Sequence, residues 1–145
     1  MMALVCIGLN HRTAPVQLLE RLAVKGAAAQ ELLTRVAADG FLEAVALSTC
    51  NRFELYGSIP DPSGIRSRPA ALLSGWTGVP ETDLLPALYL HQGAQAARNL
   101  FRGAAGLDSM VLGETEILGQ VKEAYLIASE GGCAGPMLHP LFQAA

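Results

Sequence analysis

The chain has 145 residues, of which 51% are hydrophobic and 16% are charged, and its net charge is −3. Length and composition predict one compact domain with its own core. The acidic balance argues against a broad nucleic-acid surface, no apolar stretch reaches the roughly 18 residues of a membrane span, and the N-terminus lacks the features of a secretory signal.

The three cysteines, Cys6, Cys50 and Cys133, are widely spaced. Their odd number and the lack of a Cys-x-x-Cys pair argue against a disulfide framework or a metal site, and predict a cytoplasmic protein. Cys6 lies in an apolar run that is typical of a buried strand, and Cys133 lies in a glycine-rich loop. Only Cys50 has a cationic neighbour in sequence, Arg52, so it is the best candidate nucleophile.

The first part of the chain predicts three strands and two helices. Residues 4–9 favour a buried strand, and Thr13 is placed to cap a helix that runs to Leu22 with Pro15 in its first turn. Apolar residues at 29, 32, 33, 36 and 37 follow the helical period, and Gly40 suits the end of that helix. Residues 44–49 predict a second strand, and the alternation over 53–56 predicts a third.

The second part predicts a loop, three helices and a short strand. Residues 57–69 are rich in Pro, Gly and Ser, which is typical of a surface loop. Residues 70–76 favour a helix, 88–90 a fourth strand, 94–104 an amphipathic helix and 117–128 a last helix. The mixture predicts an α+β fold: a mainly antiparallel four-stranded sheet packed by helices, in a ferredoxin-like variant.

A polar motif, Ser48-Thr49-Cys50-Asn51-Arg52, ends the second strand. The thiolate is the reactive form of cysteine and a nearby guanidinium favours it, so Cys50 and Arg52 have the ingredients of an activated nucleophile. A buried, inert Cys50 is the alternative, because free cysteine usually packs as a small hydrophobic residue. Arg52 suits bidentate binding of a carboxylate, or else a surface salt bridge with Glu54.

A second polar block, 106–120, precedes the last helix. Glu114 and Glu116 fall at that helix's N-terminus, where the dipole favours carboxylates. Glu116 and Gln120 share a face that is offset from the apolar stripe. With Ser109 they suit a pocket for a small ligand with an amino group and carboxylates, while helix capping and solvation are the structural alternatives.

Residues around the fourth strand are further candidates. His91 follows that strand and suits either an acid–base role or a structural one. Arg98 and Arg102 share a helix face that is either solvated or in contact with a phosphate. The sequence has no Gly-x-Gly-x-x-Gly after a strand and no P-loop, so we expect no nucleotide-binding site in this chain.

Three blocks of sequence, Gly8-Leu9-Asn10-His11-Arg12-Thr13-Ala14-Pro15, Ser48-Thr49-Cys50-Asn51-Arg52-Phe53-Glu54-Leu55-Tyr56 and residues 105–125, stand in a characteristic order. Together they resemble the N-terminal catalytic domain of the glutamyl-tRNA reductase family. The resemblance covers essentially all 145 residues, and three long blocks in register are far more specific than one short motif.

The resemblance implies covalent catalysis. The family's cysteine, here Cys50, attacks the ester of glutamyl-tRNA, so the tRNA leaves and a glutamyl thioester stays on the enzyme. NADPH then reduces the thioester to glutamate-1-semialdehyde, a precursor of tetrapyrroles such as haem. The family's substrate contacts correspond to Thr49, Asn51, Arg52, Ser109, Glu114, Thr115, Glu116 and Gln120.

Two departures from the family pattern affect these expectations. Where the family usually has a histidine held important for activity, this chain has Asn99, which hydrogen-bonds but does not exchange a proton near neutral pH. Either that histidine is not essential as an acid or base, or His91 replaces it, or this chain reacts more slowly.

The second departure is length, because family members continue beyond residue 145. We therefore expect a catalytic domain at 1–135, the start of a connecting helix at 136–145, and no NADPH-binding or dimerisation domain. On this reading NADPH binding and homodimerisation belong to a longer protein, and this chain keeps the nucleophile and the glutamate pocket.

Two other functions stay open at this point. One is a non-catalytic module that binds tRNA or a regulatory protein, with Cys50 merely buried. The other is an unrelated cysteine hydrolase, which would pair Cys50 with His11, His91 or His139.

Overall fold

The computed structural model describes residues 3–23, 27–49, 51–60, 67–104 and 116–130, together with Gly135, Leu138, Phe142 and Gln143. None of the described helices is long and apolar enough to cross a membrane. The elements in chain order are β1 (Ala3–Asn10), α1 (Val16–Leu22), α2 (Ala27–Ala38), β2 (Glu43–Ser48), β3 (Arg52–Ile59), α3 (Ser67–Thr77), α4 (Glu81–Leu84), a 3₁₀ turn (Leu85–Ala87), β4 (Tyr89–Gln92), α5 (Ala94–Ala104) and α6 (Glu116–Glu130).

The four strands form one sheet in the order β2-β3-β1-β4, and every neighbouring pair is antiparallel. Helices α1 and α2 connect β1 to β2, which lie on either side of β3, and α3 and α4 connect β3 to β4. This is the βαββαβ arrangement of ferredoxin-like folds. The predicted α+β fold with a four-stranded antiparallel sheet is therefore confirmed.

The two faces of the sheet differ in chemistry, because successive side chains on a strand point to opposite sides. One face carries apolar side chains such as those of Val5, Ile7 and Leu55, all buried, and helices α1, α2 and α3 cover it. The other face, which we call the polar face, carries the side chains of Glu54 and Tyr56, and α5 and α6 lie over it. Since both faces are covered, all eight residues of β3 are buried.

A buried carboxylate fastens the residues after α6 to the sheet. Glu43 is 4% exposed, and its Oε2 accepts a 2.7 Å hydrogen bond from the hydroxyl of Ser58. Its Oε1 accepts a 2.9 Å bond from the backbone N–H of Leu138. Phe142 then packs edge-on against Tyr56, with ring centroids 5.6 Å apart.

Three local predictions were wrong in detail. Thr13 does not cap α1: its Oγ1 accepts the backbone N–H of Asn10 at 2.9 Å, and the helix begins at Val16 after Pro15. Strand β3 runs on to Ile59, because Ser58 finds a buried partner on β2 and stays in the sheet. His91 lies inside β4 and not after it.

Gly8 lets β1 and β3 approach closely on the polar face. It lies opposite Glu54 in the ladder, and a Cβ placed on it would be 2.6 Å from the carbonyl oxygen of Phe53 and 2.9 Å from Cγ of Glu54. Real Cβ atoms do not come so close to backbone atoms, so only glycine leaves room for the Glu54 side chain.

Replacing Gly8 should therefore destabilise the fold. Gly8→Ala is expected to lower the free energy of unfolding by about 2 kcal/mol or more, because strands must shift apart to admit the methyl group. Gly75→Ala is the matched control: no atom lies within 4 Å of its added Cβ, and it lies in α3. That change should raise stability by roughly 0.5–1 kcal/mol. Equal urea midpoints for the two variants would contradict this account.

Candidate active site

The turn between β2 and β3 is closed by Thr49. Its backbone N–H donates to the carbonyl of Arg52 at 2.8 Å, and its Oγ1 accepts the N–H groups of Asn51 and Arg52 at 3.1 and 3.2 Å. The backbone N–H of His11 donates to the carbonyl of Asn51 at 2.9 Å, which fastens the turn to the end of β1. Cys50 itself lies outside the described residues.

Arg52 is buried beside this turn. Its side chain is 4% exposed, and its Nη1 lies 3.6 Å from Oε1 of Glu54. That separation makes an ion pair without a hydrogen bond, and Nη1 has no hydrogen-bond partner at all among the described residues. A surface salt bridge between these two side chains was one expectation from the sequence. The pair does form, but inside the protein.

Glu54 is the centre of a buried hydrogen-bond cluster. Its Oε1 accepts from the hydroxyl of Tyr56 at 3.0 Å, and its Oε2 accepts from the hydroxyl of Tyr89 at 2.5 Å and from Nδ2 of Asn99 at 2.6 Å. Three elements thus converge on one carboxylate: β3, β4 and α5. Such a carboxylate needs these donors, since an unpaired buried charge is strongly unfavourable.

The amide of Asn99 connects the cluster to α5. Its Nδ2 also donates to the hydroxyl oxygen of Tyr56 at 2.8 Å and lies 3.7 Å from Sγ of Cys6. Both amide hydrogens are therefore used in holding Glu54 and Tyr56. The sequence suggests Asn99 as a possible modulator of activity, and in the structure its amide donates hydrogen bonds to Glu54 and Tyr56 on the polar face.

The neutral members of the cluster keep their protons to unusually high pH. Burial, reinforced by Glu54, raises the pKa of the Cys6 thiol well above its usual value. Burial is also the main cause that raises the pKa of Tyr56, followed by Cys6 and Glu54, and the pKa of Tyr89, followed by Glu54. Cys6 is thus an inert core thiol, as its apolar surroundings in sequence predict, and both phenols act as donors.

A cleft of about 590 Å³ opens beside the cluster, and we call it the arginine cleft. Arg12, which follows β1, and Arg98 and Arg102 of α5 line it. Its other lining residues are Asn10, Leu90, His91, Gln95 and Asn99. Asn10 lies opposite Arg52 in the ladder and Asn99 bonds to Glu54, so the cleft and the buried cluster share a wall.

The predicted site residues divide into two groups. The structure brings Thr49, Asn51 and Arg52 together at one turn, with His91 and Asn99 in the adjoining cleft. Ser109, Glu114 and Thr115 lie outside the described residues, and for Glu116 and Gln120 only the backbone of α6 is described. Among the described residues no group of three His, Cys, Asp or Glu could hold a metal ion.

Sequence reasoning missed the cluster itself. Arg52, Glu54 and Tyr56 alternate along β3, a pattern that by itself predicts only a strand. The signal was present, since three polar side chains at every second position form one face. What the pattern does not reveal is that α5 covers that face and buries it.

The buried phenols make the fold sensitive to alkali. Since the folded pKa values of Tyr56 and Tyr89 lie above those of the unfolded chain, their contribution is complete below about pH 10 and is lost as the pH rises further. Tyr89→Phe should make the fall of unfolding free energy above that pH shallower by about 1.4 kcal/mol per pH unit. Urea unfolding over a pH series measures the slope, and an unchanged slope would exclude a buried, protonated Tyr89.

Known proteins are similar to this chain in sequence. The family model for "Glutamyl-tRNAGlu reductase, N-terminal domain" matches residues 7–145. Glutamyl-tRNA reductases of Rubrobacter xylanophilus and Marinobacter nauticus are 46% and 47% identical to the chain, over 99% and 98% of its length. The chain spans about a third of these curated relatives, 34% and 33%.

A solved structure gives the same result. The chain superposes on glutamyl-tRNA reductase from Methanopyrus kandleri with a TM-score of 0.74 and 34% sequence identity, covering 97% of this chain and 31% of that one. Fold, sequence and the matched family model agree over nearly the whole length. The chain therefore belongs to the glutamyl-tRNA reductase family, as its N-terminal domain.

Proposed function

We propose that this domain performs the acyl-transfer step of a glutamyl-tRNA reductase, in which Cys50 takes the glutamyl group from glutamyl-tRNA. The relatives are named for this substrate, and the domain contains the Thr-Cys-Asn-Arg motif. On this proposal the reaction feeds tetrapyrrole synthesis in the cytoplasm.

The observation that carries the proposal is Nη1 of Arg52, a buried nitrogen with no hydrogen-bond partner among the described residues. A buried donor without a partner costs about 1–3 kcal/mol, and more when it is charged. Nη1 of Arg52 is such a donor, and it lies two residues from Cys50 in sequence. Glutamate esterified through its α-carboxyl keeps one side-chain carboxylate, which is an acceptor that suits this nitrogen.

The chemistry needs little beyond a placed thiolate. Sγ of Cys50 attacks the ester carbonyl carbon, the acyl C–O bond breaks, and the ribose oxygen of the tRNA leaves with a proton. The thiol supplies that proton when it ionises, so no further reactant is required. The positive charge of Arg52 favours the thiolate form.

We place the remaining contacts on Thr49, Asn51, Ser109, Glu114, Thr115, Glu116 and Gln120. The hydrogen bonds of Thr49 support its assignment, because they close the turn between β2 and β3. Thr49 is thereby a positioning residue for Cys50 and Arg52. NADPH, which the family's chemistry implies, is a different matter. In the described part of the chain no strand runs into a glycine-rich phosphate turn, so these residues do not fit that cofactor.

We propose that His91 carries the proton released by the Cys50 thiol to the leaving ribose oxygen. His91 lines the same cleft as Asn99, while the Asn99 amide is fully used by Glu54 and Tyr56. Imidazole is the side chain suited to move protons at physiological pH. This favours replacement of the family's usual histidine by His91 over the other two explanations.

The acyl-transfer proposal is tested by intact-protein mass spectrometry after rapid acid quench with glutamyl-tRNA. We expect a mass gain of one glutamyl group, mapped to Cys50, and slow release of free glutamate because water hydrolyses the thioester. Cys50→Ser should show neither, and Arg52→Gln should lower the rate. If Cys50→Ser released glutamate as fast as the parent, or if no adduct formed, a non-catalytic tRNA- or regulator-binding module would become the better description.

The role of His91 has its own test in single-turnover acylation. His91→Gln should lower the rate by about 10²- to 10⁴-fold, the usual contribution of general acid–base catalysis. An unchanged rate in His91→Gln would show that the step needs no imidazole at this position.

A further inference from the structure

The arginine cleft carries more positive charge than is needed to bind the one carboxylate of a glutamyl group. Three guanidinium groups line it in a chain whose net charge is −3, and none of its described lining residues is acidic. Arg98 and Arg102 are four residues apart on α5, a spacing at which like charges repel and destabilise a helix. A cleft lined by positive charge favours an anionic ligand.

Arg12 and Arg98 are the two groups best placed to bind an external anion. Both are exposed, and neither forms an ion pair with any residue in the described ranges. They come from different elements, the segment after β1 and helix α5, and both line the cleft. An anion held between them would be bound from two sides by planar groups that match a phosphate.

The position of the cleft indicates which anion this is. It shares the wall formed by Asn10 and Asn99 with the buried cluster that holds Arg52. The single carboxylate of an esterified glutamate is accounted for by Arg52, so the exposed arginines face whatever carries the ester. In an acylated RNA, phosphodiester groups lie within one or two nucleotides of the ester, and arginine contacts to them supply affinity and position without reading sequence.

We propose that Arg12 and Arg98 bind phosphodiester groups at the 3′ end of the acylated RNA and so position its ester at Cys50. This inference rests on the proposed acyl-transfer function and adds a binding site for the carrier. A dinucleotide also carries phosphates, but it is not attached to the reacting ester, and RNA is therefore the ligand that this placement favours.

The test compares two acyl donors in single-turnover reactions of the intact chain. Glutamyl-tRNA carries the phosphodiesters, and the glutamyl ester of adenosine lacks them. For Arg12→Gln and Arg98→Gln, the ratio of the tRNA rate to the adenosine-ester rate should fall by up to about five-fold each, the range of an exposed ion pair. The slope of log rate against log salt for tRNA should become shallower by about 0.7 for each lost contact.

Arg35→Gln is the matched control. Arg35 is also exposed, but it lies on α2 near Glu31 and Trp76, and it does not line the cleft. Arg35→Gln removes the same positive charge as the cleft variants, but its ratio of the tRNA rate to the adenosine-ester rate should equal that of the parent. If it lowered the ratio as much as the cleft variants, the effect would come from net charge and the proposal would be wrong.

Other outcomes are equally decisive. If both donors slowed alike in the cleft variants, these arginines would serve the glutamyl group and the proposal would fail. If the parent formed no thioester with either donor, the acyl-transfer function would fail, and binding of a fluorescent single-stranded RNA ending in CCA would decide this proposal separately. Weaker RNA binding by the cleft variants would sustain it, whereas unchanged RNA binding would overturn it.

Discussion

The carboxylate of Glu54 is the constraint around which the polar face is arranged. It lies 1% exposed on the central strand β3, where a charge without partners would be untenable. Gly8 has no side chain and so leaves room for the Glu54 carboxylate. The hydroxyls of Tyr56 and Tyr89 and the amide of Asn99 donate hydrogen bonds to it. Removing one partner of a buried charge costs about 3–5 kcal/mol, so these residues are bound to one another as a set.

This arrangement gives position 99 a structural meaning. An amide offers two N–H groups, whereas a neutral imidazole offers one. Asn99 uses its pair to satisfy Glu54 and Tyr56 together and so ties α5 to the sheet. Asn99 therefore stabilises the wall of the arginine cleft, and any proton exchanged there must come from another side chain.

Local sequence patterns predicted the strands and helices well where burial follows a simple period. The apolar run at 4–9 and the helix stop at Gly40, where φ is 104°, are confirmed. The cluster around Glu54 was beyond such reasoning, because it depends on contacts between residues that are 35 and 45 positions apart. The predicted helix cap at Thr13 was wrong for a related reason. Its hydroxyl oxygen accepts the backbone N–H of Asn10, which precedes it, and not an N–H of the helix that follows.

The direction of the strands places the turn at Thr49, the end of β1 and the start of β4 along a single edge of the sheet. Ala3 and Ile59 pair at the opposite edge. At about 3.3 Å per residue, the eight residues of β1 separate position 3 from Asn10 by about 23 Å. A spectroscopic label at position 3 would thus be mounted on a strand, remote from the turn at Thr49, and within the range over which energy transfer to a labelled RNA end reports its distance.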